Sequence, residues 1–460
     1  MPALVVGAGI SGLVCAYALR KAGIDAQIVE ASPQPGGIIR TQRRDGFLLE
    51  FGPQSFSATP AIRELCRELG LEREVVEAPP RAPRFVLVDG ALQQVPLSPP
   101  AFFASGLFST RTKWSILRDL LGRTTPPSTD ESVAVFVRRK FSDELLDKLV
   151  GPFVSGIYAG DPERLSLRAA FPQLYEAERA AGSVIRGMIR ASKAAKSVKG
   201  PKQRPALQTF REGNTALIRA LAAKLGSALR CGAEVKSVSC NRTESSERIN
   251  SFAVVVNAQG EVNTLETQYL IMATPTNSAA ALLRNVDPAF ASLLSGIEYA
   301  PVAIVSLGYR QADVGHNLEG FGFLVPRSAR LQTLGTVWNS SLFPNRAPKG
   351  QVLLSSFVGG ASNPKAAAVA PEELVAIVHR EISPLLAIHQ PPIFSNVEFY
   401  ERAIPQYNLG HAERIASLSS LQQKYSNLWL AGNYLRGPAV GACVDHALQV
   451  AEEVGKRLKR

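Results

Sequence analysis

Three glycines with a fixed spacing stand near the beginning of the sequence and could hold phosphate groups. They lie in the stretch Gly7-Ala8-Gly9-Ile10-Ser11-Gly12, and an acidic residue, Glu30, follows 18 residues after the last of them. In dinucleotide sites the first glycine forms a tight turn, the second lets the backbone approach a pyrophosphate, and the third lets a helix pack against a strand. The acid accepts a hydrogen bond from a ribose hydroxyl. These residues therefore predict a dinucleotide site.

A second group of residues favours FAD over a nicotinamide as the dinucleotide. A glycine pair and an arginine follow Glu30 closely, a turn rich in small residues comes after them, and a further glycine-rich turn lies near the C-terminus. This combination is typical of flavoproteins that bind FAD in an extended form. The candidate FAD contacts in these segments are Ala31, Gly37, Ile38, Arg40, Gly52, Pro53, Gln54, Ser55, Gly432, Asn433, Pro438, Ala439 and Val440.

The elements that must position these turns can be read from the hydrophobic pattern. Leu4–Val6 predicts a buried strand, Leu13–Ala22 a helix and Ala26–Val29 a second strand, which together form a βαβ unit around the first turn. Near the C-terminus, Asn427–Ala431 predicts a strand and Ala442–Arg457 a helix. Because a helix N-terminus attracts anions, both turns suit the ends of a phosphate-bearing cofactor.

A central segment contains a further helix and further strands. Its pattern predicts a helix at Thr215–Leu225 and strands at Glu234–Val238, Phe252–Val256 and Tyr269–Met272, the last followed by the turn Ala273-Thr274-Pro275.

Composition bounds the size of the protein and the kinds of site it holds. With 460 residues, 46% of them hydrophobic, the chain is long enough for two or three domains. The net charge of +12 favours a nucleic acid, an anionic lipid or an acidic small molecule as partner. The five cysteines show no metal-ligand spacing, so we expect reduced thiols and no metal site. No run approaches the roughly 18 apolar residues of a membrane span, and no catalytic triad or paired carboxylates stand out.

Several segments resemble the flavin amine oxidase superfamily, namely GAGISGL, EASPQPGGIIRT, LEFGPQSF and NLWLAGNYLRGPAVGACVDHA. Internal motifs resemble one branch of it, the oxygen-dependent protoporphyrinogen oxidases, and the resemblance covers nearly the whole chain in order. These motifs are Gly156-Ile-Tyr-Ala-Gly160-Asp161-Pro162, Gly320-Phe-Gly-Phe-Leu324-Val325-Pro326, Phe357-Val-Gly-Gly360 and Ile404-Pro-Gln-Tyr407 with Gly410-His411.

The resemblance implies an α/β fold with three domains and non-covalent FAD. A Rossmann-like FAD domain is expected from residues 1–83, 206–283 and 410–460, with Val235 as a further cofactor contact. A mixed-sheet substrate domain is expected from 84–95 and 284–409, and a helical membrane-binding domain from 96–205.

The resemblance also implies which residues bind the substrate. Arg84 matches a family arginine that pairs with a propionate, and Gly156 matches a backbone carbonyl over the macrocycle. The apolar walls match Leu324, Val337 and Phe357. The flavin carries the redox chemistry in such enzymes, so no protein side chain is assigned a catalytic role and no metal is expected.

The implied activity is the oxidation of protoporphyrinogen IX to protoporphyrin IX in three two-electron steps, with O2 reduced to H2O2, in haem or chlorophyll biosynthesis. Coproporphyrinogen III is the alternative substrate, and a porphyrin- or flavin-binding protein without turnover is a further alternative. Amine oxidation is disfavoured because the segment Ala300–Val305 has no lysine and because Cys443 lies beyond the C-terminal turn, away from the place of a covalent flavin.

The expected partners are the porphyrinogen, O2 and a membrane surface, with no nucleic acid, and a homodimer and hand-off to a chelatase are further expectations. The stretch 96–122 mixes Phe, Leu and Trp with Arg and Lys, a composition typical of interfacial segments, although it also suits an amphipathic helix packed on its own core. The basic stretch 190–204 predicts a loop, either at anionic headgroups or in solvent. The expected place is the cytoplasm, peripheral on the inner or cell membrane if the source is bacterial.

Overall fold

A computed structural model describes residues 3–197, 207–242 and 249–458. The strands in chain order are β1 Ala3–Val6, β2 Ala26–Glu30, β3 Thr41–Arg44, β4 Phe47–Glu50, β5 Phe56–Ser57, β6 Val75–Glu77, β7 Arg84–Val88, β8 Ala91–Gln94, β9 Leu207–Phe210, β10 Leu229–Cys231, β11 Ala233–Arg242, β12 Ile249–Ala258, β13 Glu261–Thr267, β14 Leu270–Met272, β15 Tyr299–Arg310, β16 Gly322–Leu324, β17 Thr333–Trp338, β18 Gln351–Gly359, β19 Phe394–Pro405 and β20 Leu428–Leu430.

The helices occupy the stretches between these strands. In chain order they are α1 Ile10–Lys21, α2 Pro60–Glu68, α3 Pro99–Ala104, α4 Thr110–Leu121, α5 Val133–Lys140, α6 Asp143–Leu145, α7 Gly151–Tyr158, α8 Leu167–Ala170, α9 Pro172–Ala181, α10 Val184–Ser197, α11 Thr215–Leu225, α12 Thr276–Leu283, α13 Pro288–Ser295, α14 Asn339–Leu342, α15 Pro371–Leu386, α16 His411–Lys424, α17 Asn433–Arg436 and α18 Val440–Leu458.

A five-stranded parallel sheet in the order β10-β2-β1-β14-β20 forms the first layer. β1, β14 and β20 are buried along their whole length, as parallel strands usually are, whereas the edge strand β10 is partly exposed. Ala3 and Val5 face a cluster that includes α1, α11 and α18, whereas Leu4 and Val6 face the antiparallel sheet β11-β12-β13. The α/β class with a Rossmann-like βαβ start is therefore present, and the predicted strands and helices of these segments are confirmed.

A seven-stranded mixed sheet in the order β19-β15-β18-β17-β16-β7-β8 forms the second layer. All neighbours run antiparallel except β16 and β7, which are parallel. One face packs on α15 through Leu374, Val378 and Ile382. The other face turns toward the helical region α3–α10, whose own core includes Phe136 and Val154.

The structure contradicts part of the prediction for the basic stretch 190–204. It was predicted to be a loop, but α10 continues to Ser197, and residues 198–204 lie outside the described part. The helix-forming alanines and lysines of this stretch explain the extension. Among the described residues no helix is long and apolar enough to cross a membrane. The division into three domains stays a prediction.

Candidate active site

The first glycine-rich turn joins β1 to α1 and is built without room for side chains. The Gly7 N–H donates to the Val29 carbonyl at 2.8 Å, and Gly7 has a φ of 101°, in the region that favours glycine. A Cβ on Gly12 would lie 1.9 Å from the Gly7 carbonyl oxygen, so only glycine fits there. A Cβ on Gly9, in contrast, would meet nothing within 4 Å. The turn is therefore tightly packed at Gly7 and Gly12, whereas the space beside Gly9 is free of protein atoms.

The acid at the end of β2 closes this turn from the side. One carboxylate oxygen of Glu30 accepts from the Ala8 N–H at 2.7 Å, and the other accepts from the Ser32 N–H at 2.9 Å. The carboxylate thus lies directly beside the glycine-rich turn. Contact of Glu30 with a ribose stays a prediction.

The second glycine pair is brought against the first turn by backbone pairing. Gly9 and Gly36 form a parallel bridge, and the Gly36 N–H donates to the Ala8 carbonyl at 2.8 Å. A Cβ on Gly52 would lie 2.1 Å from the Ile38 carbonyl oxygen, so the later turn packs closely on this segment. The side chain of Arg40 forms an ion pair with Glu398 of β19.

The C-terminal turn comes to the same end of the parallel sheet. The Ala431 N–H donates to the Met272 carbonyl at 2.8 Å, which aligns β20 with β14, and α18 then packs along α1. The predicted contacts Gly432, Asn433, Pro438 and Ala439 lie between β20 and α18, and Val440 is the first residue of α18. Two predicted FAD contacts lie outside these turns. Ala31 directly follows Glu30 and is exposed. Val235 lies in β11, the strand that follows β10, and β10 pairs with β2.

These residues fit a dinucleotide that carries phosphates. The N-terminus of α1 has no side-chain cap and no acidic residue in its first turn, so its first N–H groups are free of a side-chain acceptor. The buried hydroxyl of Thr274, next to Gly7, has no hydrogen-bond partner among the described residues. Phosphate oxygens would satisfy both kinds of donor. The residues that would hold FAD are therefore those of the two turns and Glu30.

Four of the five predicted substrate residues meet on one face of the mixed sheet. Arg84 on β7 and Val337 on β17 flank Gly322 of β16, since both pair with it in the strand register. Leu324 and Phe357 flank Gly335 in the same way. Residues that pair directly across strands share a face, and so do residues two apart on one strand. All four side chains therefore project from the face opposite α15.

The fifth, Gly156, faces this surface from α7. A Cβ on Gly156 would lie 2.8 Å from Cδ2 of Leu324, so the helix backbone and the sheet side chain are in close contact. The Ala361 N–H donates to the Ala159 carbonyl at 2.7 Å, which fixes the end of α7 to the end of β18. The strands and α7 thus bring together all five positions.

The chemistry of this face is apolar with one cation. Leu324, Val337 and Phe357 are only half-buried, although they lie inside the sheet, so they border open space. The Arg84 guanidinium is exposed, lies 5.4 Å from the centre of the Phe321 ring, and has no carboxylate partner among the described residues. Such a surface suits a flat apolar molecule that carries an anionic group.

A buried hydrogen bond that sequence reasoning missed joins the turn Gly52–Ser55 to the substrate face. The side-chain N–H of Asn339, two residues beyond Val337, donates to the Gln54 side-chain oxygen at 2.6 Å. Gln54 in turn donates to the Glu50 and Gly52 carbonyls. The sequence signal was a polar residue directly after an apolar strand, but its partner is distant in the chain.

Glu50 and Arg346 form a buried ion pair beneath this link, at 3.2 Å. Glu50 also accepts from the Asn214 N–H at 2.9 Å and from the Thr41 hydroxyl at 2.7 Å. Burial raises the pKa of Glu50 to about 7, and the Arg346 charge only partly opposes this shift. A glutamate inside the apolar run FLLEF was the sequence signal for this pair.

The structure agrees with the two sequence features that disfavoured amine oxidation, the missing lysine and the position of Cys443. Strand β15, which contains Ala300–Val305, has no lysine. The Cys443 thiol lies inside α18, and burial raises its pKa to about 11, so it is protonated and a poor nucleophile at neutral pH.

The sequence model of the flavin-containing amine oxidoreductase family matches residues 10–455. The chloroplastic protoporphyrinogen oxidase of Nicotiana tabacum is 37% identical over 99% of this chain and 86% of that protein. The coproporphyrinogen III oxidase of Bacillus subtilis (strain 168) is 29% identical over 96% of this chain and 95% of that protein.

Solved structures share the fold. A crystal structure from Exiguobacterium sp. 255-15 superposes with a TM-score of 0.80 at 24% identity, covering 99% of both chains. Cyclohexylamine oxidase from Brevibacterium oxydans gives 0.70 at 16% identity, covering 100% of this chain and 99% of that one.

Proposed function

The chain belongs to the flavin-containing amine oxidoreductase family, and we propose that it is an FAD-dependent oxidase that converts protoporphyrinogen IX to protoporphyrin IX in haem or chlorophyll biosynthesis. The observation that carries this proposal is the substrate face: one free guanidinium and three half-buried apolar side chains on adjacent strands, with a glycine of α7 opposite. The protoporphyrinogen oxidase relative at 37% identity supports it.

FAD supplies the redox chemistry when bound: in three two-electron steps the substrate loses six hydrogens in all, and three O2 become three H2O2. The residues of this chain do the positioning. The Gly7–Gly12 turn and the N-terminus of α1 hold the phosphates, and the acid at the end of β2 holds the ribose. The turn before α18 holds the other end of the cofactor.

The substrate face orients the macrocycle. Arg84 pairs with a propionate, and Leu324, Val337 and Phe357 form walls that exclude water from the ring. The missing side chain of Gly156 lets α7 pack on Leu324, and the backbone carbonyl of Gly156 accepts from the pyrrole N–H groups. Position and shape are therefore the contribution of the protein.

Coproporphyrinogen III is the second candidate substrate, and the Bacillus subtilis relative supports it. Its four propionates would need more cations than a substrate with two. On the paired positions of the four strands that carry the substrate residues, Arg84 is the one charged side chain, and the others are apolar, glycine, serine or threonine. This composition favours protoporphyrinogen IX.

The test is a direct comparison of the two substrates in air. The purified protein, loaded with FAD, is given protoporphyrinogen IX and coproporphyrinogen III in separate reactions, and porphyrin fluorescence and H2O2 are measured together. We expect faster turnover of protoporphyrinogen IX with about three H2O2 per porphyrin. Preference for coproporphyrinogen III would change the substrate, and release of porphyrin without H2O2 would exclude O2 as the acceptor.

The exposed face of α4 and α10 supports peripheral attachment to a membrane. Trp114 is 66% exposed and Leu121 is 78% exposed, and Arg111 and Arg118 lie on the same side at helical spacing. Exposed Met188 and Ile189 with basic residues add to it on α10, which contacts α4. Apolar side chains flanked by cations suit an anionic lipid surface. If the source is bacterial, the proposal is a cytoplasmic protein at that surface, and a homodimer and hand-off to a chelatase stay predictions.

A further inference from the structure

The motif at residues 404–411, which runs from the end of β19 to the first residue of α16, contacts two parts of the site that lie on different layers. One part is the C-terminal turn that follows β20, and the other is α7, which carries Gly156. The side chains of Gln406, Tyr407 and His411 make these contacts, and all three are buried.

Tyr407 holds the C-terminal turn with its hydroxyl group. The hydroxyl donates to the Asn433 carbonyl at 2.6 Å and accepts from the Gly437 N–H at 2.6 Å. Asn433 is the first residue of α17 and Gly437 directly follows its last residue, so one oxygen atom contacts both ends of this four-residue helix. The Tyr407 side chain is 2% exposed, and no water can replace the hydroxyl without a change in packing.

His411 supports the same turn from the next position. Its ring stacks on the Tyr407 ring with 4.2 Å between ring centres, and Nε2 lies 3.0 Å from the Tyr434 carbonyl oxygen. Burial lowers the pKa of His411 to about 4, so the ring is neutral near pH 7. Because a carbonyl only accepts, Nε2 carries the hydrogen and donates it.

Gln406 connects the same segment to the substrate side. Its side-chain N–H donates to the Tyr158 carbonyl at 2.8 Å, two residues after Gly156. The Tyr158 ring also lies 5.7 Å from the Tyr407 ring, and the Ser166 N–H donates to the Tyr407 carbonyl at 2.8 Å. Hydrogen bonds and ring contacts of this segment therefore connect the C-terminal turn to α7.

We propose that Tyr407 is a positioning residue, which fixes the C-terminal FAD turn and sets its distance from α7. The proposal rests on the proposed function, because it takes this turn as the flavin side and α7 as the substrate side. Tyr407 acts on the flavin through Asn433 and Gly437 and on the substrate through α7. Loss of its hydroxyl removes the partner of the Asn433 carbonyl and of the Gly437 N–H, both in half-buried residues, and the turn then relaxes.

Tyr407→Phe tests this role, because the ring and its stacking on His411 remain. We expect FAD to bind about tenfold more weakly to the apoprotein, as for one lost buried hydrogen-bonded group. We also expect a shifted visible flavin absorption band. At saturating FAD, kcat should fall about tenfold while KM changes by less than about twofold, since the sheet that binds substrate is intact.

Tyr309→Phe is the matched control. Tyr309 is another fully buried tyrosine, and its hydroxyl lies 3.0 Å from His379 on the side of the mixed sheet away from the site. Equal FAD affinity and an equal flavin spectrum in wild type, Tyr407→Phe and Tyr309→Phe would overturn the proposal.

The FAD measurements need no substrate, so they separate this proposal from the proposed function. Wild-type protein that binds FAD but oxidises no porphyrinogen would exclude the function, while the comparison of FAD affinities would still decide the role of Tyr407. If Tyr407→Phe does not fold, His411→Phe replaces it, because that variant keeps a stacked ring but loses the bond to Tyr434. Weaker FAD binding in His411→Phe supports the role of the segment, and unchanged binding overturns it.

Discussion

Arg84 shows what a single side chain contributes when its partner is a ligand. Its guanidinium is exposed, stacks near Phe321 and faces no carboxylate among the described residues, so it adds little to the stability of the fold. The same freedom suits it for an anionic group of a substrate. Its role was predicted by resemblance alone, since an isolated arginine at the start of a strand has no distinctive pattern.

Arg84→Ala should raise KM for protoporphyrinogen IX about tenfold or more and change kcat little, because a charge-assisted pair contributes about 1.5–3 kcal/mol. The measurement is steady-state kinetics by porphyrin fluorescence. Arg81→Ala is the control, as Arg81 is exposed and lies outside the sheet. A loss of FAD from Arg84→Ala, or equal KM values in both variants, would contradict the assignment.

Glu50 makes the stability of the protein depend on pH in an unusual direction. Its pKa in the folded state, about 7, lies above the ordinary 4.5, so the folded state keeps a proton that the unfolded chain loses between these values. The free energy of unfolding therefore falls as pH rises through this window, by up to about 3 kcal/mol.

The Glu50→Gln variant should remove this dependence, because an amide does not titrate. Chemical denaturation of wild type and variant at pH 5, 6, 7 and 8 measures it, and the difference between their unfolding free energies should move steadily in favour of the variant as pH rises. The loss of the Arg346 partner adds a constant offset to this difference. Parallel curves for the two proteins would show that Glu50 is ionised throughout.

At the scale of elements, the βαβ unit depends on contacts that leave no space for a methyl group. Gly12 lies under the Gly7 carbonyl, and this contact lets α1 begin where the phosphates are expected. The strand, turn and helix here follow from local sequence, because hydrophobic period and glycine spacing are local signals.

Gly12→Ala should yield protein without bound flavin, because the added Cβ would lie 1.9 Å from a backbone oxygen and must push α1 away from β1. The ratio of flavin absorbance to protein absorbance after purification measures this effect. Gly455→Ala is the control: Gly455 lies inside α18, where a Cβ would meet Ile24 at an ordinary 3.5 Å. Normal flavin content in Gly12→Ala would refute the role of the turn.

The sequence predicted many of the strands and helices, but it did not predict contacts between distant parts of the chain. Four strands of the parallel sheet, β1, β2, β14 and β20, and the helices at 10–21, 215–225 and 440–458 were predicted closely from their apolar residues and flanking glycines, whereas the edge strand β10 was not predicted. The basic stretch at 190–204 was wrong as a loop up to Ser197, because charge was given more weight than helix propensity. The Glu50–Arg346 and Gln54–Asn339 contacts were missed, since they join residues far apart in the chain and no local pattern encodes a partner.

At the scale of the whole molecule, the net charge of +12 and the exposed α4 face together favour an anionic membrane. Replacing Trp114 and Leu121 with Glu should lower binding to phosphatidylglycerol-containing vesicles about tenfold or more, because it removes apolar contacts and adds repulsion. Co-sedimentation measures the bound fraction.

The control for this variant carries the same two charges elsewhere. Val262→Glu with Leu458→Glu changes two exposed apolar residues outside the helical region. Equal vesicle binding by the two double variants would place the lipid contact elsewhere or exclude it.

The strand order of the parallel sheet has a consequence for synthesis on the ribosome. β1 emerges well before β14, with which it pairs, and β20, the outer partner of β14, emerges later still. At about 5–20 residues per second, β20 follows β14 after roughly 8–30 s. During that time the backbone edge of β14 is unpaired and can join another nascent chain. We therefore expect production of this protein to depend on chaperones that bind growing chains, and on translation speed.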